Sequence, residues 1–239
     1  MKARIAIVSI VVVLLSFLAG NSHAVMHKVS FNAWTQTDPG PTGLPENKLI
    51  VWVEVVDDQM SHPPDFVNEI KVTAPDGSIL YLDLSKHWDP WDKAFNRAFI
   101  DTDFLGGVIP GGNYSVTVTP NAGTALTETD NVLAKYLPLP VVTYPTQGQV
   151  NVPETPTFKW NTVTGATHYR IMLFNDSAKS PVYFFTFRQK FTDLKSYAIP
   201  PGDLKPNTNY SMRIEARAGM QDMDIRSRSL WISFTTGSW

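Results

Sequence analysis

Apolar and polar side chains alternate along much of this chain. In "YSVTVT" (114–119), Tyr114, Val116 and Val118 point one way, and Ser115, Thr117 and Thr119 point the other. A period of two is that of a strand with one buried face. The pattern recurs in "KLIVWVEVV" (48–56), "EIKVTAP" (69–75) and "NYSMRIEAR" (209–217). Between such runs the 18 Pro and 14 Gly fall in short clusters. "APDGS" (74–78) places Pro before Asp-Gly, which suits a tight reversal. "IPGGN" (109–113) and "NAG" (121–123) bracket the Tyr114 run in the same way. Many short strands at this spacing predict an all-β sandwich or barrel.

Two segments need separate treatment. In "DPWDKAFNRAF" (89–99), Trp91, Ala94, Phe95, Ala98 and Phe99 have helical spacing, with Asp89 as N-cap and Pro90 as first helical residue. Phe95, Arg97 and Phe99 equally alternate as a strand, and both readings stay open here. "KYLPLPVVTYPTQGQVNVPETP" (135–156) carries five prolines and no helical periodicity, which predicts an extended, stiff connection. It divides the chain near Leu139 into residues 25–138 and 139–239.

The first 24 residues change the cellular picture. Lys2 and Arg4 precede an apolar run from Ile5 to Ala19, and Ser22-His23-Ala24 ends the segment. That order predicts a cleavable secretory signal ending at Ala24, and so a periplasmic or extracellular protein. The apolar run is shorter than the ~20 residues a bilayer span needs, so no stable membrane insertion is expected. The chain has no Cys, which excludes both lipid attachment after "LAG" (18–20) and disulfides. Without residues 1–24 the net charge moves from −2 to −4. That balance argues against nucleic acid as a partner, which rewards a concentrated basic surface. The remaining length suffices for two domains of ~100 residues that fold without staples.

From Pro140 onward the sequence resembles a fibronectin type III domain. The resemblance is carried by Trp160 in "FKW", Gly165-Ala166-Thr167, Tyr169 in "YRIML", the run "LKPNTNY" (204–210), "RIEARA" and "SRSLWISFTT". It implies that Trp160 on the second strand packs near Tyr169 on the third. It also implies that Tyr210 closes the corner into the sixth strand, its hydroxyl donating to a backbone carbonyl just upstream. The N-terminal half resembles a bacterial immunoglobulin-like β-sandwich through "KLIVWVEVVDD", "IKVTAPDGS" and "GGNYSVTVTPNAG". The expected architecture is therefore two immunoglobulin-like β-sandwiches in tandem. Such folds host many partners and no standard chemistry.

Motifs that carry chemistry are few. No Gly-x-Ser-x-Gly elbow is present, and a thiol nucleophile is impossible without Cys. No motif selects a hydrolase, although none of these absences excludes one. Four histidines follow the signal: His27, His62, His87 and His168, the last expected as an exposed strand residue facing away from the core. Two acidic patches, Asp57, Asp58, His62 and Asp65, then His87, Asp89 and Asp92, offer oxygen ligands of the kind calcium accepts. Neither forms an Asp-x-Asp-x-Asp-Gly loop, and neither a metal nor another cofactor is expected. The strongest ligand candidate is "SKHWDPWDK" (85–93). There Trp88 and Trp91 could stack on sugar rings while His87, Asp89 and Asp92 engage hydroxyls; the competing role is to cap the N-terminal core. "RAGMQDMDIRSRS" (217–229) is a second candidate, a loop that could meet a partner. The expected function is an exported, non-catalytic binding or assembly protein whose loops engage a protein or cell-surface partner. The alternative is a carbohydrate-binding accessory module using Trp88 and Trp91.

Overall fold

The computed structural model describes residues 26–57, 63–90, 92–176, 178, 180–186, 195–219 and 225–239. The predicted signal, Asp58, His62 and Trp91 lie outside these described residues. Strands dominate what is described, with one short helix at Pro63–Phe66 and one 3-10 turn at Asp101–Asp103.

The N-terminal half contributes β1 (Met26–Pro39), β2 (Pro45–Asp57), β3 (Val67–Thr73), β4 (Ile79–Tyr81), β5 (Trp88–Asp89), β6 (Ala94–Phe99), β7 (Gly112–Pro120) and β8 (Leu126–Val132). Pairing follows β1-β2-β6-β5 in one layer and β4-β3-β7-β8 in the other, the immunoglobulin arrangement. Their inward faces meet in a core that includes Val51, Val53, Phe95, Ile70, Tyr114 and Val116. The 74–78 turn closes as its residues predict. The Ser78 carbonyl accepts the Ala74 N–H at 2.9 Å, and Gly77 takes a φ of 85° that a side chain would resist.

Asp89 closes the short strand β5 and Ala94–Phe99 form β6, so these residues are strand, not helix. β6 lies between β2 and β5, with Val53 opposite Phe95 and Leu49 opposite Phe99. As a strand the segment satisfies the backbone of β2 and buries Phe95 and Phe99; a helix would leave that edge open.

The C-terminal half contributes β9 (Val142–Tyr144), β10 (Gln149–Val152), β11 (Thr157–Trp160), β12 (His168–Asn175), β13 (Ser180–Thr186), β14 (Ser196–Ala198), β15 (Asn209–Ala218), β16 (Ile225–Arg228) and β17 (Ile232–Thr236). β14-β11-β9 form one layer, and β13-β12-β15 with β16 and β17 form the other. β16 and β17 are one last strand broken at 229–231: β16 pairs with residues 215–218 of β15, and β17 pairs with 209–212. Three strands facing four is the fibronectin type III arrangement. Trp160 and Tyr169 pack across the core with ring centroids 5.6 Å apart.

Several expectations need correction. Residues 135–156 are not all connection, because β9 and β10 lie within them and join the C-terminal sandwich. The ends of the 217–229 segment are strand, Arg217 and Ala218 closing β15 and Ile225–Arg228 forming β16, while residues 220–224 lie outside the described residues. Tyr210 closes its corner in the opposite sense, accepting the Lys205 N–H at 2.8 Å. The expected donating form occurs instead in the N-terminal half, where the Tyr114 hydroxyl reaches the Pro110 carbonyl at 2.7 Å. His168 does face away from the core, yet it is only 6% exposed, since the outer face of this sheet is itself well covered.

That covering begins where the halves join. Residues 35–37 of β1 pair in parallel with 225–227 of β16, so the outer layer of one sandwich continues into that of the other as one ten-stranded sheet. Thr35 Oγ1 donates to the Lys135 carbonyl at 2.6 Å, and Ser227 Oγ to the Pro138 carbonyl at 2.9 Å. The connecting chain is thereby tied to both halves.

Candidate functional site

Of the residues singled out in the sequence, His87, Trp88, Asp89 and Asp92 lie together around β5. The His87 carbonyl accepts the Asn96 N–H at 2.7 Å, and His87 Nδ1 accepts the Asp83 N–H at 2.8 Å. Burial, and then the positive charge of Arg97, lower the pH at which His87 takes a second proton. Asp89 Oδ1 accepts the Asp92 N–H at 3.3 Å, holding the turn. Trp88 is half-buried against the N-terminal core, its ring 5.0 Å from that of Phe95. Trp91 lies outside the described residues, so the structure places one of the two proposed stacking rings. Asp57 ends β2, and Asp65 sits in the short helix, where its carbonyl accepts from Asn121. Among the described residues no three His, Asp or Glu converge as metal ligands would.

A second region escapes a reading of the sequence. On the outward face of β12, β15 and β16, cross-strand neighbours fall in rows: His168, Arg217 and Arg226, then Arg170, Glu215 and Arg228, then Met172 and Arg213. Five arginines thus surround one fully buried carboxylate. Arg217 clamps Glu215 through both Nε and a terminal nitrogen, and Arg228 Nε reaches its other oxygen at 2.7 Å. Burial alone would raise the Glu215 carboxyl, but Arg228, Arg217 and Arg226 outweigh it and hold the group at about 2.

Arg226 lies over the Trp34 ring at 4.0 Å, with its Nε buried and without a partner among the described residues. Burial pushes its guanidinium down to about 9; Glu215 opposes that shift, and Arg217 and Arg228 add to it. Arg213 sits 4.5 Å over Trp231, and burial together with Arg228 lowers it to about 10.

Trp231 opens the third feature. Together with Phe174, Asn175, Asp176 and Ser211 it lines a cavity of about 370 Å³ at the end of this sheet face. Its ring meets Phe174 edge-on at 5.3 Å, and it remains 40% exposed. Ser211 Oγ donates to Asp176 Oδ2 at 2.8 Å. Among the described residues its wall thus combines aromatic rings with a carboxylate, an amide and a hydroxyl. The signal in the sequence is the set Arg170, Arg213, Glu215, Arg217, Arg226 and Arg228, all on the outward-facing positions of their strands.

No protein-family model matches the chain, and no curated protein is similar to it. Among solved structures it is similar to the chicken CNTN1 FN1–FN3 domains, at 14% identity and a TM-score of 0.36, covering 87% of this chain and 66% of that one. It is also similar to the fibronectin(III)-like modules of Clostridium thermocellum CbhA, at 11% identity and a TM-score of 0.32, covering 88% of this chain and 93% of that one. The chain therefore spans just under two thirds of the length of the first of these. The protein is all-β, an immunoglobulin-like sandwich followed by a fibronectin type III-like one, and strand order and core packing carry that assignment. Among the described residues no helix is long and apolar enough to cross a membrane.

Proposed function

We propose that this is an exported, non-catalytic binding or assembly protein that engages its partner on the outer face of the shared sheet. The observation that carries this is the cavity at Trp231, where an aromatic surface stands beside Asn175, Asp176 and Ser211. Recognition would then lie at the end of β12 and beside β15 over the C-terminal core, not on loops alone, and such a site is better preorganised. The hairpin at 87–92 is the second candidate surface. The contact of Trp88 with Phe95 favours a core-capping role for that ring.

Tryptophan fluorescence titrated with purified polysaccharides and with peptides tests the proposal. A response lost in Trp231→Ala, at unchanged thermal stability, supports it. A response lost instead in Trp88→Ala moves the site to the hairpin. Turnover of any probe removes the non-catalytic assignment. Export is checked by N-terminal sequencing of material recovered outside the cytoplasm, with the mature chain expected to begin after Ala24.

A further inference from the structure

The end of the N-terminal sandwich that faces the C-terminal half carries apolar side chains on its outside. Leu44 lies in the β1–β2 turn, and Ile100, Leu105 and Val108 lie between β6 and β7. Leu44 is 68% exposed, Leu105 78% and Val108 61%, and Ile100 is exposed as well. We infer that this end docks a partner protein through a partner segment that combines apolar and basic residues. The surface is separate from the Trp231 cavity, so the two bindings stand or fall independently.

The exposure does not come from a loose loop. Phe104 and Ile109, on either side of the tip, are buried in the core. The Ile100 N–H donates to Asp103 Oδ2 at 2.8 Å, the Ile109 N–H to Asp101 Oδ1 at 2.9 Å, and the Leu105 N–H to Ser78 Oγ at 2.8 Å. Ser78 is held in turn by Asp76, through its N–H at 3.0 Å and its hydroxyl at 2.9 Å. The polar side chains thus turn back onto the backbone, and the apolar ones are left in water. Apolar surface rimmed by polar groups in this way marks an interaction site. A loop fixed beforehand also loses little freedom on docking.

Charge decides what covers it. Among the described residues no ion pair takes up Asp76, Asp101 or Asp103, and Lys48 is occupied by Glu46 and Asp38. An acidic rim repels anionic lipid, nucleic acid and a second copy of itself, and it attracts Lys and Arg. Between the β1–β2 turn and Ile100 lies a cavity of about 290 Å³, lined by Pro45, Glu46, Asn47, Ile100, Asp101 and Thr102. Its aliphatic walls suit the stem of a long cationic side chain, and the carboxylates of Glu46 and Asp101 suit the head.

Calorimetric titration of the mature protein with an amphipathic peptide of Leu and Lys, its Leu–Glu counterpart, and phosphatidylglycerol and phosphatidylcholine vesicles tests the inference. The Leu–Lys peptide should bind, more weakly as salt is raised, while the Leu–Glu peptide and both kinds of vesicle should not. Leu105→Ser with Val108→Ser should weaken that binding about tenfold or more at unchanged thermal stability, since both side chains already face water. Asp103→Asn keeps an acceptor for the Ile100 N–H, removes the charge, and should weaken binding about threefold. Leu44→Ser, on a separate turn, repeats the test should the double variant fold poorly. Peptide binding indifferent to these changes, equal binding of the two peptides, or no binding at all overturns the inference. Vesicle binding lost in the double variant overturns it in favour of a lipid surface. Self-association in sedimentation that the double variant abolishes overturns it in favour of a second copy.

Discussion

Single residues decide how much of each sandwich depends on its aromatic centre. Trp160 is buried against Tyr169, and the Tyr169 hydroxyl accepts the Val163 N–H at 2.7 Å. Trp160→Ala should cost ~3–5 kcal/mol in chemical denaturation, from lost burial plus the cavity left behind. Tyr114→Phe removes one buried hydroxyl from the Pro110 carbonyl and should cost ~1 kcal/mol by the same measurement. Glu215 is the residue whose effect depends on pH. Its carboxyl lies at about 2 in the fold against an ordinary 4.5. A lowered carboxylate contributes stability above its unfolded value, and that contribution drains away as pH falls from 4.5 toward 2. Glu215→Gln should therefore cost ~3–5 kcal/mol near neutrality, because it leaves buried arginines without their countercharge. The gap between the two proteins should narrow in thermal melts taken through that acidic window; a gap independent of pH would show that the charge of Glu215 contributes nothing.

At the level of elements, the strands are legible wherever local pattern and burial agree. Alternation alone points Tyr114, Val116 and Val118 inward, and all three are fully buried. The 89–99 segment resists the same treatment, because Ala94, Phe95, Ala98 and Phe99 satisfy two periods at once; only the open edge of β2 decides between them. The site is less legible. Arg213, Glu215 and Arg217 alternate visibly within "MRIEARA", but alternation shows only that they point outward. That Arg226 and Arg228 come beside them depends on β15 meeting β16 across the 219–224 connection. The join between the halves has no signature in the sequence, since Thr35 near the start of the sandwiches partners Ile225 near their end. Ser227→Pro tests that join. Ser227 stands between Ala216 and Thr37, and proline there removes an N–H from the middle of the sheet. Hydrogen exchange should show lost protection at 35–37 with β7 unchanged; retained protection at 35–37 would mean the pairing is dispensable.

For the molecule as a whole, two hydrophobic cores are present, one spanning Met26 to Val132 and the other Leu137 to Phe234. Each suffices in principle to fold alone, as the length of each half suggests. The ten-stranded sheet nevertheless links them through backbone pairing and through the hydroxyls of Thr35 and Ser227. Thermal unfolding of the mature protein should accordingly follow one cooperative transition. Two resolved transitions would show that the halves melt independently despite the shared layer.

The parallel contact between β1 and β16 also bears on what happens when the molecule is cut. In the intact chain each strand shields the rim of the other. Expressed separately, either half would offer a row of unmatched amides and carbonyls to any passing chain, an invitation to aberrant strand addition. Fragments divided near Leu139 should thus self-associate with rising concentration even where each is correctly folded, while the uncut protein stays dispersed.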